Sequence, residues 1–464
     1  MTSKLSQVNR DLHEMKRFSQ LLDYIPDKPL AWGAFFLLFL WVVFPAAMWL
    51  IGFGWLPVDE PVRIVRQTIL YNVWSTLLMQ IGYLGNFLAI IIIGKSILRA
   101  KREKTPFKVY FFEHGLTIFL GLMILWSVVS TLLSDSLGTS LYGHIYRREG
   151  LLTYFAYAGV LTCGMLIRDA RRVRQLLKIF VLASLVTSIP YILNWIPGIT
   201  WSELLHDPSV FHNANHHGYY LVMVTMVSLA LFLTEKRRQA SQWIWAFSYA
   251  VSVAALNFNS SLGPYLAVVG GFILYAVFLA LKNWRAYRWQ ILLAAIILIG
   301  LSLLINLAIG QLGNDLLQLF KDSAAIVKGS EGSGLAGSGR WELWQHGVRF
   351  AIAKPWFGYG PDNLHELYLA VNIIYDRPHN ELIQFAASLG FPALLFYISA
   401  MVMHLRGFLM ARKQASALLT GVFATVGAYL ISSIFGNSMY YTTPFFLMIL
   451  GMSYGMLKKV NSEF

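Results

Sequence analysis

The chain has 464 residues, 57% of them hydrophobic and 13% charged, with a mean hydropathy of +0.56 and a formal net charge of +14. That balance excludes a soluble domain, in which about a quarter of the residues carry charge. It describes an all-α polytopic membrane protein.

Residues 1–28 precede the first apolar run. Leu5, Val8, Leu12, Met15 and Leu22 recur there at helical steps among charged neighbours, the pattern of an amphipathic segment lying in the cytoplasmic interface. No compact apolar core followed by a small-residue cleavage site occurs, so the start is expected to be retained. Runs long enough to cross a hydrocarbon core of about 30 Å then lie at 30–55, 68–94, 115–133, 151–167, 178–196, 217–234, 243–258, 260–281, 289–310, 390–411, 416–435 and 443–457. Residues 29–310 read as nine transmembrane helices and residues 390–464 as three more with a short tail, giving about 12 spans. Cys163, the single cysteine, falls inside an apolar run, which leaves no disulfide framework and no thiolate metal site.

The segment between the ninth and tenth spans, 311–389, is far longer than an ordinary connection. Its Gly/Ser-rich stretch KGSEGSGLAGSGR reads as flexible. The stretches RWELWQHGVRFAIAKPWFGYG and HELYLAVNIIYDRPHNELIQFAASLG carry helical periodicity broken by Pro355 and the Gly358/Gly360 turn. A small, partly helical extracytoplasmic subdomain packed onto the bundle is expected.

Most of the 37 Lys and Arg residues fall in alternate loops that also hold both termini. The positive-inside rule therefore places both termini in the cytoplasm and the 311–389 loop outside. The net charge is then largely topology and contact with membrane lipids, and nucleic acid is not an expected partner. The informative residues are those left outside against the bias. The loop after the third span holds His144, Arg147, Arg148 and Glu149, just before the fourth helix. The loop after the fifth span holds His206, His212, Asn213, Asn215, His216 and His217. His212 and His216 have the spacing of a zinc pair, but without an acidic or cysteine partner, hydrogen bonding to sugar or phosphate is the expectation and no metal or other cofactor is assigned. The long loop holds Arg340 in Ser338-Gly339-Arg340-Trp341 and His379 in Pro378-His379-Asn380-Glu381.

These pieces resemble the O-antigen ligase and polymerase superfamily of bacterial glycan-transferring membrane proteins. The matching motifs are Ser338-Gly339-Arg340 with Trp344, the Lys354-Pro355-Trp356-Phe357-Gly358-Tyr359-Gly360 turn, and Pro378-His379-Asn380-Glu381-Leu382-Ile383-Gln384 running into Leu389-Gly390. Arg147-Arg148-Glu149-Gly150 and Phe211-His212-Asn213-Ala214-Asn215 are similar to weaker family features. In one respect the chain departs from the pattern: Ser260-Ser261-Leu262-Gly263 stands where many members have an arginine, so Arg147, Arg148 or Arg377 is the substitute to consider.

The resemblance implies metal-independent glycan transfer from an undecaprenyl-pyrophosphate carrier to a lipid-borne or other hydroxyl acceptor, at the outer face of the cytoplasmic membrane. Independently of the family, such a leaving group needs fixed cations, for which arginine is suited by its permanent charge and paired donors. The acceptor hydroxyl needs a base, and a neutral imidazole serves. The expected assignments are His379 as base or acceptor-orienting residue and Arg340 as the main pyrophosphate clamp. Arg147, Arg148, Arg377, Asn380, Glu381, His212 and Asn215 are expected to bind substrate, Asn380 and Glu381 having helix capping as the rival role. The other class to weigh is a secondary transporter or flippase of lipid-linked glycans. Such proteins carry ionisable residues or broken helices near the membrane midplane, whereas here the polar chemistry is concentrated outside the spans.

Overall fold

The structure, a computed structural model, describes residues 22, 24–53, 60–145, 147–195, 210–211, 214–235, 239–328, 336–337 and 339–462. Most of the amphipathic segment expected over 1–28 lies outside these residues; Leu22 packs against Leu30 and Ile91. Among the described residues all regular structure is helical. In chain order the helices are α1 (Asp27–Met48), α2 (Glu60–Arg102), α3 (Phe107–Leu132), α4 (Leu137–Tyr142), α5 (Leu151–Leu166), α6 (Ala170–Leu193), α7 (Ala214–Thr234) and α8 (Ala240–Phe258). They continue as α9 (Leu262–Ile309), α10 (Gln311–Lys328), α11 (Arg340–Ala353), α12 (His365–Ala370), α13 (Glu381–Leu389), α14 (Phe391–Ala411), α15 (Ala417–Ser433) and α16 (Thr443–Ser462).

Seven of the described helices are long and apolar enough to cross a membrane: Asp27–Ile51, Thr68–Arg102, Phe107–Leu132, Ala170–Leu193, Ala214–Thr234, Leu262–Ile309 and Phe391–Ala411. The protein is thus a polytopic helical membrane protein, but the expected count of about 12 is not reached on those criteria. Leu151–Leu166 and Ala417–Ser433 are apolar but shorter. The expected eighth and ninth spans are two arms of α9, whose 48 residues are interrupted only at Asn283 (φ −164°, ψ 82°). At the ideal rise a straight helix of that length would be about 72 Å long, more than twice the hydrocarbon core. The Asn283 side chain accepts a hydrogen bond from the Ala286 amide (3.1 Å) and so caps the second arm. Apolar patterning shows where each arm lies but not whether helical hydrogen bonding continues between them.

The centre of the bundle is α7, buried on nearly every side by α6, α8, α9 and α15, as its all-round apolar sequence requires. Nearby, α5 lies between α2 and α16. Close approach there depends on glycine: a Cβ on Gly159 would sit 1.7 Å from the Gly82 carbonyl oxygen of α2. Small residues at helix contacts are how membrane helices gain packing without a hydrophobic driving force.

Within the long loop, α11, α12 and α13 enclose a second core of Leu343, Ala351, Leu364, Tyr368 and Ala387, flanked by Trp344 and Phe350. It docks on α3, where Trp126 Nε1 donates to the Trp356 carbonyl (2.9 Å) and Ser130 Oγ to that of Phe357 (2.6 Å). The intervening turn runs through Gly358 (φ +62°) and Gly360 (φ +95°). A Cβ on Gly360 would meet Ser140 Oγ at 2.2 Å, so the turn needs glycine for both its backbone and its space. Much of the Gly/Ser-rich stretch read as flexible lies outside the described residues; ahead of it α10 forms an amphipathic helix with Leu317 and Phe320 exposed.

Candidate active site

Arg340 is the first residue of α11 and follows Gly339 (φ +80°). A cation in the first helical turn opposes the helix dipole, so helix stability does not account for it there. Its Nη2 donates to Asn215 Oδ1 (3.3 Å) in the first turn of α7, joining two segments separated by 125 positions. Arg148 is held in a similar way, its Nη2 donating to Asn72 Oδ1 on α2 and its Nε reaching the Ile145 carbonyl at 3.4 Å.

Arg147 and Arg377 are held by carboxylates instead. Arg147 makes a bidentate pair with Asp376, Nε to Oδ2 at 2.6 Å and Nη2 to Oδ1 at 3.0 Å. Arg377 is 1% exposed; its Nη2 donates to Asp362 Oδ1 and its Nη1 to the Ser438 carbonyl (3.2 Å). The second Asp362 oxygen accepts the amides of His144 (2.7 Å) and Glu149 (3.3 Å), tying the loop after α4 to the loop before α12. Burial opposes both charges of the Asp376–Arg377 pair. Arg377 and Arg147 nevertheless hold the Asp376 carboxyl down at about 2, and Asp362 and Asp376 push the Arg377 guanidinium up. This arrangement is a framework of paired ions, fully buried at Arg377–Asp362 and partly buried at Arg147–Asp376.

His379 sits on that framework. Burial, reinforced by the charge of Arg340 and opposed by Asp376, pulls its imidazole down to about 4, so the ring is neutral at neutral pH. Its Nδ1 lies 3.3 Å from Asn437 Nδ2, and its edge meets Tyr375 with ring centroids 5.9 Å apart. The tautomer follows from the amide orientation of Asn437. An Asn437 NH2 donating to Nδ1 puts the proton on Nε2; the reversed amide accepts from Nδ1–H and leaves an Nε2 lone pair available as a base. Among the described residues the buried Asn437 Oδ1 has no hydrogen-bond partner; the reversed orientation gives it His379 Nδ1–H and puts the NH2 in the unpartnered position. Three residues here adopt left-handed backbone conformations, Arg148 (φ +52°), Asp362 (φ +59°) and His379 (φ +50°). Such strain in non-glycine residues concentrates at functional sites.

The remaining expected residues are placed as follows. The Asn380 side-chain oxygen accepts from Leu382 N and Ile383 N, both at 3.1 Å, and so caps α13. Glu381 is 2% exposed and faces inward, pushed up to about 8 by burial first and the Glu149 carboxylate second. Glu149 is pushed up to about 7, mainly by burial, and accepts from the Tyr157 hydroxyl. Asn215 joins Arg340, while His212 lies outside the described residues. His216 and His217 are buried in α7, and His217 lies between the rings of Phe211 and Tyr191. Asp362, Asp376, Asn72 and Asn437 were not anticipated. Asp376, beside Arg377 and three residues before His379, could have been; Asn437 comes from a loop 58 positions away with no pattern to announce it.

Residues 247–398 match a family model described as O-antigen ligase. No curated protein matches the chain.

Proposed function

Through residues 247–398 the chain belongs to the O-antigen ligase/polymerase superfamily, and from that premise we propose that it transfers a glycan from undecaprenyl pyrophosphate to an acceptor hydroxyl at the outer face of the bacterial cytoplasmic membrane. The coarser activity, a glycosyltransferase-type enzyme of surface-polysaccharide biosynthesis, comes with the family. The observation that carries the finer reading is the neutral imidazole of His379 beside Arg340, an arginine held, among the described residues, by an amide and not by a carboxylate.

In the proposed reaction the acceptor oxygen attacks the anomeric carbon while the bond from that carbon to the pyrophosphate oxygen breaks. The electron pair leaves with undecaprenyl pyrophosphate and the hydroxyl proton passes to His379 Nε2, with Nδ1–H donating to Asn437. Arg340 exchanges Asn215 for the pyrophosphate, and the amides at the start of α11 add to the field there. Arg148 exchanges Asn72 in the same way. Arg147 and Arg377 hold Asp376 and Asp362 and so fix the backbone that presents His379. The single displacement inverts the anomeric configuration and requires no metal.

The test is incubation of the purified protein in EDTA with one undecaprenyl-pyrophosphate oligosaccharide, alone and with added lipid-borne acceptors. Lengthened glycan from the donor alone identifies a polymerase; transfer only after acceptor is added identifies a ligase. Movement of intact lipid-linked glycan across a vesicle membrane without transfer would replace the proposal with a flippase.

A further inference from the structure

A cavity of about 1640 Å³ lies between α2, α3, α5, α14 and α16, larger than the roughly 300–1,000 Å³ of a small-molecule site. It exists because α2 packs on α5 while α3 packs on α14, which parts α2 from α3. One end reaches Glu381 and Ser438, beneath the candidate active site, and the walls include Leu116, Leu120, Met123, Leu161 and Phe446. The other end is basic. Lys95, Arg99, Lys108, Arg168, Arg172 and Lys458 are among the cations that line it, against Asp27, Glu103, Glu113 and Asp169. Two of these carboxylates are already engaged, Asp27 by Lys95 and Glu113 by Lys458 (3.5 Å). At that end α2 and α3 touch through a polar contact, Ser96 Oγ to His114 Nε2 (3.1 Å), and Lys458 Nζ approaches the same nitrogen (3.2 Å).

We propose that the basic end binds the headgroup of an anionic phospholipid, with its acyl chains in the adjoining part of the crevice. Three arguments favour this occupant. The excess of cations complements a phosphate, and basic pockets between membrane helices are suited to anionic headgroups. The apolar walls continuing from the cations accept acyl chains. The third is length: from Lys108 to Ser127 along α3 the crevice runs about 28 Å at the helical rise, whereas the chains of one leaflet fill about half of a 30 Å core. A carrier lipid whose pyrophosphate sits at the opposite end near Arg340 cannot also place a phosphate at the basic end, so the anion there belongs to a different molecule.

The experiment is native mass spectrometry of the delipidated full-length protein, titrated with phosphatidylglycerol, phosphatidylcholine or undecaprenyl phosphate. The proposal predicts that phosphatidylglycerol binds at least tenfold more tightly than phosphatidylcholine and that undecaprenyl phosphate does not displace it. An Arg168→Gln/Lys458→Gln variant with an unchanged melting curve should lose that preference, whereas Arg412→Gln, outside the crevice, should keep it. Equal retention of the two phospholipids by the unmodified protein would overturn the proposal, as would displacement by undecaprenyl phosphate. The readout is lipid binding alone, so it stands or falls separately from glycan transfer.

Discussion

At the residue scale, the four candidate arginines divide by partner among the described residues: Arg340 and Arg148 rest on amide oxygens, while Arg147 and Arg377 hold carboxylates. The division makes a prediction that the sequence alone could not, because Arg147, Arg148 and Arg377 stood together as candidates behind Arg340 with nothing to separate them. Arg340→Gln and Arg148→Gln should lower transfer by about 10²- to 10³-fold with little change in melting temperature, as for loss of a donor to a developing anion. Arg377→Met leaves Asp362 buried without its cation, while Asp376 keeps Arg147, and should cost about 3–5 kcal/mol in stability, read as a lower melting temperature in detergent. The pH profile supplies a second test. With His379 pulled down to about 4, the acid limb of kcat/KM should lie near 4 and not near 6.5. Arg340→Gln removes a positive charge that disfavours protonation and should move the limb upward. Glu149 and Glu381 behave oppositely. Their folded values, about 7 and about 8, lie above the ordinary carboxylate value, so the folded state binds more protons. Their contribution to stability is present below that ordinary value and is lost as pH rises through 7 and 8. Thermal melts should show stability falling from about pH 4.5 to pH 8, with a flatter profile in Glu149→Gln and Glu381→Gln. His379 and Arg340 could be named as candidates from the sequence because each sits in a short local motif. Asn437 and Asp362 could not, because their roles arise only when distant loops meet.

At the element scale, hydropathy located the apolar segments well and their continuity poorly. It separated 260–281 from 289–310 at a basic stretch, but helical structure resumes immediately after Asn283 because that residue recaps the chain. Similarly, Gly82 and Gly159 gave no signal among many membrane glycines, yet a Cβ on Gly159 would meet the Gly82 backbone and one on Gly82 the Ala156 backbone. Gly159→Leu should separate α2 from α5 and lower the melting temperature, costing at least the roughly 1–3 kcal/mol of core overpacking. Gly33→Ala, with nothing within 4 Å of its added Cβ, is the matched control and should leave the melt unchanged. The Gly358/Gly360 turn was legible as a break in helical periodicity, and its second function, admitting Ser140 and Ser388 against the backbone, was not.

At the scale of the whole molecule, the candidate active site is assembled where a helical subdomain with a core of its own meets the apolar bundle. The sequence pointed to that segment, since the long loop combines helical periodicity with retained cations. The bundle anchors the subdomain through Trp126 and Ser130 and supplies Asn215, Asn72 and Asn437 to the site. The proposed transfer therefore requires the two parts together. The measurement that tests this most directly is release of undecaprenyl pyrophosphate from a defined lipid-linked glycan, with acceptor present, by the wild-type protein and by His379→Ala of equal melting temperature. The account predicts release by the wild type and a drop of about 10²- to 10⁴-fold in the variant, the usual range for loss of a general base. Equal release by both would contradict it.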